Sequence, residues 1–137
     1  MKKIILAIVF LTVGYVYGQD NYQIKNLEVN TKYSDFGVSF YQGDAIYASA
    51  KPQNNKSRKN WTNGQPYLDL FRGAIDGTGE IIDSSPFSDN IDTKYHESNA
   101  VFTKDMKTVY FTRNNYFENR YGKDTLGIYC LKMEKNQ

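Results

Sequence analysis

Residues 31–50 read TKYSDFGVSFYQGDAIYASA, and residues 93–113 read TKYHESNAVFTKDMKTVYFTR. The two segments are copies of one pattern. Thr31-Lys32-Tyr33 matches Thr93-Lys94-Tyr95, Asp35 matches Glu97, and Phe40 matches Phe102. Tyr47 matches Tyr110 if one residue is inserted in the turn. From Thr31 to Thr93 the offset is 62 residues. A fixed period of this kind marks a chain built from repeated supersecondary units.

Each copy follows the same local logic. A short strand, 37–41 or 99–103, meets a turn at Gln42-Gly43-Asp44 or Lys104-Asp105-Met106-Lys107. A second strand follows, 45–50 or 108–113, rich in residues that suit a pleated, half-buried surface. Gly or Asp in the turn supplies the backbone freedom of a tight hairpin. A third strand is expected at 67–75, then a turn at Asp76-Gly77-Thr78-Gly79, then a fourth strand at 80–83 before Ser85-Pro86. Residues 126–134 fit the third strand of the second copy, and 22–29 could add an outer strand. After residue 18 no helical pattern stands out. The expected fold is all-β. It consists of four-stranded antiparallel propeller blades, one full (about 31–88) and one nearly full (about 93–137), in an incomplete propeller. Blade repeats usually run about 40–50 residues. The excess lies in two insertions, 51–65 and 114–124, each before a third strand.

The first 18 residues have a separate purpose. Lys2 and Lys3 precede the apolar run IILAIVFLTV (4–13), and Val16 and Gly18 are suited to a signal peptidase. This is the layout of an export signal, 1–18, with the propeller segment at 19–137. The run is too short for a membrane span, which takes about 20 apolar residues. Cleavage after Gly18 leaves 119 of the 137 residues and lowers the basic count from 17 to 15, against 15 acidic residues. The +2 charge of the whole chain is therefore that of the signal, and net charge gives no reason to expect a nucleic-acid partner. Cys130 is the only cysteine, so no internal disulfide forms, and its apolar surroundings suggest a small buried side chain.

Several stretches together resemble a known family. They are Leu68-Asp69-Leu70-Phe71, Pro86-Phe87-Ser88, Thr93-Lys94-Tyr95-His96-Glu97-Ser98, Val101-Phe102-Thr103-Lys104-Asp105 and Tyr110-Phe111-Thr112-Arg113-Asn114-Asn115. They resemble the propeller region of Bacteroidetes OmpA-family envelope proteins, whose WD-like repeats also occur in TolB. The resemblance covers about 22–136. It implies an exported location, in the periplasm or at the outer membrane, and a non-enzymatic interaction or scaffold role with an envelope protein or glycan as partner. Family members typically continue into further blades and a peptidoglycan-binding domain. No residues here match that domain, so its activity is not carried over. Met106 departs from the Asp-Gly-Lys usual in the family's turn.

Strand order places the candidate binding residues. Loops entering the first and third strands of a blade open on one face. That face would carry Tyr33, Asp35, Tyr95, His96 and Glu97, with Arg58 and Trp61 from the first insertion and Arg113, Tyr116, Arg120 and Tyr121 at the second. Trp and Arg are the usual anchors of interfaces. The simpler reading of both insertions is solvated or rim-packed loops. Catalytic readings are weaker. His96-Glu97 opens a zinc-protease motif, but Ala100 stands where the second His is needed. One His and one Cys do not make a zinc site, so neither metal nor cofactor is expected. Asp35 and Glu97 could act as a glycosidase pair, although matching repeat positions are more simply structural. Two blades leave sheet edges and faces open, which suggests a truncated frame, closure by several chains through self-association, or a compact two-sheet unit; truncation is the favoured expectation.

Overall fold

The computed structural model describes residues 22–53, 64–115 and 125–133. The expected signal segment, the middle of the first insertion and most of the second lie outside the described residues. The described chain is all-β, with two antiparallel sheets and no helix. Strands β1 (Asp35–Tyr41), β2 (Asp44–Ser49), β3 (Asp69–Ile75) and β4 (Ile81–Pro86) form the first sheet in sequence order. Strands β5 (Glu97–Phe102), β6 (Thr108–Asn115) and β7 (Thr125–Lys132) form the second. Each expected strand from 37 to 132 is present, within a few residues of its expected ends. Residues 22–29 form no strand. Tyr22 and Ile24 are exposed, while Leu27 and Val29 pack on the first sheet.

The two hairpin turns differ, and the difference resets the repeat alignment. Tyr41 pairs with Asp44 around a two-residue turn in which Gln42 and Gly43 have φ of 53° and 92°. Positive φ at both central residues is the requirement of a type I′ turn. The second turn is longer. The Thr103 amide donates to the Thr108 carbonyl at 2.9 Å, and the Thr108 amide donates to Thr103 Oγ1 at 3.0 Å. Phe40 pairs with Ala45, but Phe102 pairs with Val109. The insertion is therefore two residues. Tyr47 corresponds to Phe111, and Ile46 to Tyr110, which corrects the match expected from sequence.

A one-residue bulge bends each sheet's first strand. The register slips between Phe36 and Ser39 in β1 and between Ser98 and Val101 in β5. Gly37 and Asn99 occupy equivalent places and both are left-handed, with φ of 70° and 52°. An extra residue in one strand is what such a bulge inserts. The two bulges touch: a Cβ on Gly37 would come within 3.0 Å of Asn99 Oδ1.

The second sheet lies on one face of the first, with β5 against β1, β2 and β3. Their shared core holds Ile46, Ala48 and Leu70 from the first sheet and Ala100, Val109 and Phe111 from the second. Phe87 and Ile91 of the connecting segment join it. Tyr41, Phe87 and Phe102 form an aromatic cluster with ring centroids 4.7–5.9 Å apart. The other face of the first sheet buries Ala45, Tyr47, Phe71 and Ile81 under Leu27 and Val29. β2 is consequently buried on both faces, which explains why IYAS reads as a near-continuous small and apolar run.

Met106 carries a φ of 57° in the second turn. The left-handed region costs a side-chain-bearing residue roughly 1–2 kcal/mol, and glycine little, though glycine loses more chain entropy on folding. Met106→Gly should therefore raise stability by about 0.5–1 kcal/mol. Urea unfolding with an unchanged m-value is the check.

Candidate functional site

The repeated Thr-Lys-Tyr sequence builds one small device twice. Thr31 donates to Asp35 Oδ2 from its amide at 2.6 Å and from Oγ1 at 2.8 Å, and Oγ1 accepts the Tyr33 amide at 3.0 Å. In the second copy Thr93 Oγ1 donates to Glu97 Oε1 and accepts the Tyr95 amide at 3.2 Å. Lys32 and Lys94 lie over the neighbouring Tyr33 and Tyr95 rings, 5.3 and 5.4 Å from the centroids. A hydroxyl that binds its own backbone two residues on is a recurrent turn former. Each carboxylate thus fixes the entry to its strand.

Across the sheet the two copies diverge. Asp35 pairs in register with Ser49, whose Oγ donates to Asp35 Oδ1 at 2.5 Å. Glu97 pairs in register with Arg113, whose Nε donates to Glu97 Oε1 at 2.7 Å. Arg113 Nη2 also donates to the Ile91 carbonyl at 2.6 Å. Its guanidinium sits 5.1 Å from both the Phe111 and Tyr129 ring centroids, an arrangement favourable to a cation.

Glu97 is 0% exposed and has two acidic neighbours. Asp69, at the start of β3, is 7% exposed, and Asp92 follows the buried Ile91 in the segment joining the sheets. One carboxylate oxygen from each of Asp69, Asp92 and Glu97 lies within 4.8 Å of the others. Gln53 Nε2 donates to Asp69 Oδ2 at 2.9 Å. Asp69 Oδ1 and Glu97 Oε2 are buried and have no hydrogen-bond partner among the described residues. Leaving a buried acceptor unsatisfied costs about 1–3 kcal/mol, and more if it is charged.

The strand starts also lock together through the backbone. The Glu97 amide donates to the Leu68 carbonyl at 2.8 Å, and the Leu68 amide donates to His96 Nδ1 at 3.1 Å. The His96 amide donates to Asn114 Oδ1 at 2.6 Å, and the ring packs 4.7 Å from Tyr67. His96 is thus a connecting residue between the two sheets.

The residues singled out from sequence fare unevenly. Tyr33, Asp35, Tyr95, His96, Glu97 and Arg113 all lie at the ends where β1, β3 and β5 begin and β2 and β6 end. Glu97 and Arg113 meet directly, while Asp35 belongs to the equivalent turn of the first sheet. Arg58, Trp61, Tyr116, Arg120 and Tyr121 lie outside the described residues. Cys130, expected to be buried, is exposed on the outer face of the second sheet, because nothing among the described residues covers that face. Asp69 and Asp92 were missed. The available signal was an acid between two leucines, Leu68-Asp69-Leu70, in a strand buried on both sides.

Asp69 and Glu97 have abnormal proton affinity. Burial pushes Asp69 up to about 8 from 3.8; the hydrogen bond and charge of Asp92, then the charge of Glu97, add to the rise, and Gln53 opposes it. Burial pushes Glu97 up to about 6 from 4.5, against the pull of Thr93 and Arg113. Both groups bind protons more tightly in the folded chain than in the unfolded one. The stability they contribute is therefore full below about pH 4 and is lost as pH rises toward about 8. In chelator-containing buffer the melting temperature should fall between about pH 5 and pH 8, and Asp69→Asn should flatten that slope, as read by thermal melts. Compared with family models, curated proteins and solved structures, the chain finds no match.

Proposed function

We propose that the chain is a non-enzymatic, exported interaction and scaffold module of the bacterial cell envelope, made of propeller-type blades, which works by stacking one β-sheet on another. The observation that carries this reading is an equivalence between the two sheets. Register places Tyr110, Thr112, Ile128 and Leu126 of the second sheet where Ile46, Ala48, Leu70 and Leu68 stand in the first. In the first sheet that row is covered by the second sheet. In the second sheet Ile128 is 80% exposed and Leu126 74%, with Val101 and Tyr110 beside them. The row that receives a neighbour in one copy is open in the other. Exposed apolar rows of this kind mark interaction sites.

The fitting occupant is an antiparallel sheet with an apolar, aromatic inner row, as Val109, Phe111 and Tyr129 form within this chain. A second copy of the chain, whose own inner row is already covered, can offer its matching open row of Tyr110, Leu126 and Ile128, and is the partner the reading commits to. The catalytic alternative, glycan hydrolysis by Asp35 and Glu97, has less support. Asp35 is held by Thr31 and Ser49, and Glu97 is fully buried and held by Thr93 and Arg113.

Sedimentation of the mature chain over a dilution series tests the stacking. The expected result is concentration-dependent association that slows alkylation of Cys130, which sits on the open face. Ile128→Lys should abolish both effects without unfolding the monomer, since Ile128 makes little of the core. A chain that stays monomeric, with Cys130 equally reactive at every concentration, would overturn the reading. Export further predicts a mature chain beginning at Gln19, read by intact mass.

A further inference from the structure

The acidic trio between the sheets carries buried carboxylate oxygens that no described residue satisfies. Three carboxylates converge, and among the described residues Arg113 is bonded to Glu97 Oε1. The opposite oxygen, Glu97 Oε2, belongs to a side chain with no solvent exposure and has no hydrogen-bond partner among the described residues. Asp69 Oδ1 is in the same condition on a side chain more than nine-tenths buried. The strands that deliver these groups are locked by the bond from the Glu97 amide to the Leu68 carbonyl, so the acids cannot separate without breaking the sheet junction.

We propose that Asp69, Asp92 and Glu97 form a calcium-binding site that clamps the two sheets at the ends where β3 and β5 begin. Calcium takes oxygen ligands at about 2.3–2.6 Å, so two oxygens on opposite sides of the ion stand about 5 Å apart. The donor oxygens lie within 4.8 Å of one another, which fits that span. The donor set is all oxygen, with no imidazole or thiolate among the three, which suits a hard cation better than zinc. Magnesium demands a tighter octahedron and keeps several waters, whereas this site is mostly enclosed by protein. Calcium also tolerates irregular, partly protein-built shells, which three acids from three different segments would supply.

The ligands come from β3, from the segment joining the sheets and from β5. Binding therefore ties together parts of the chain that sequence separates, and the ion acts on folding as a cross-link that stabilises by mass action. It leaves the stacking face of the second sheet untouched, so the two proposals fail independently.

The experiment is a set of thermal melts on the chelated mature chain, titrated with calcium chloride or magnesium chloride, with calorimetric titration of calcium alongside. Calcium at millimolar concentration should raise the melting temperature by at least about 4 °C, and magnesium by much less. Asp92→Asn, at a half-buried position, should keep the fold and lose most of the calcium shift. Asp69→Asn should fail to respond to calcium, and in chelator above about pH 8, where Asp69 is ionised, it should melt higher than wild type because it removes a buried like charge. No calcium shift in wild type, or an equal shift in both variants, would overturn the site. An equal response to magnesium would overturn its assignment to calcium.

Discussion

Arg113 holds a fully buried carboxylate, and the junction of the two sheets depends on that contact. Removing a carboxylate from water costs several kcal/mol unless its charge and lone pairs are met. Here the guanidinium meets Glu97 from within the same sheet while reaching across to the Ile91 carbonyl. It also lies on Phe111 and Tyr129, so its own desolvation is offset by two aromatic faces. One side chain therefore ties β5 to β6 and the second sheet to the segment that enters it. Arginine suits this place because its planar, multi-donor head can serve a carboxylate, a carbonyl and a ring together, which a lysine ammonium cannot do.

The first sheet solves the equivalent problem more cheaply. Asp35 is only half-buried and is satisfied by two hydroxyls and an amide, with no cation needed. The contrast follows from position. β1 and β5 are both edge strands, but the start of β5 is tied to the entry of β3 by the bond from the Glu97 amide to the Leu68 carbonyl, whereas Asp35 stays half-buried. The longer Glu97 side chain goes into the interior and must bring Arg113 with it. Lys51 performs a related service on the outer side of the first sheet. It bonds Tyr47 and Ser84 and sits 4.0 Å from the Phe71 ring centroid.

The strands were legible because their signals are local. Alternation, turn residues and the Thr-Lys-Tyr repeat depend on near neighbours, and Asp76 organises its turn from within by accepting from Thr78 and Glu80. What escaped was whatever depends on the third dimension. The size of the second hairpin insertion was hidden because Tyr47 and Tyr110 are alike in name but not in register. The 22–29 segment has the apolar content of a strand, yet it pairs as none, and Leu27 and Val29 pack on the first sheet. Cys130 lies in an apolar run that would be buried if its sheet had a neighbour on that side. Asp69 and Asp92 meet Glu97 only once the sheets stack, so no spacing along the chain announces the trio. Of the candidate site, Glu97 and Arg113 were found as separate residues, and their partnership was not.

The same rows explain why the chain reads as a repeat and does not behave as two equal halves. Equivalent register positions carry similar apolar character in both sheets, so the sequence repeats. Their burial does not repeat: β2 is covered on both faces, whereas β6 alternates between the buried Val109 and Phe111 and the exposed Tyr110. Covering an apolar side chain of this size is worth roughly 1.5–3 kcal/mol. The second sheet retains several such side chains in water, and the charge at its entrance is concentrated where the two sheets meet. Apolar cover in this chain is therefore most complete at the junction and thins toward the outer face of β7. A partner sheet on the outer row and an ion in the acidic trio would act at opposite sides of that gradient, one supplying missing apolar cover and the other coordinating the buried oxygens of Asp69 and Glu97 that no described residue satisfies.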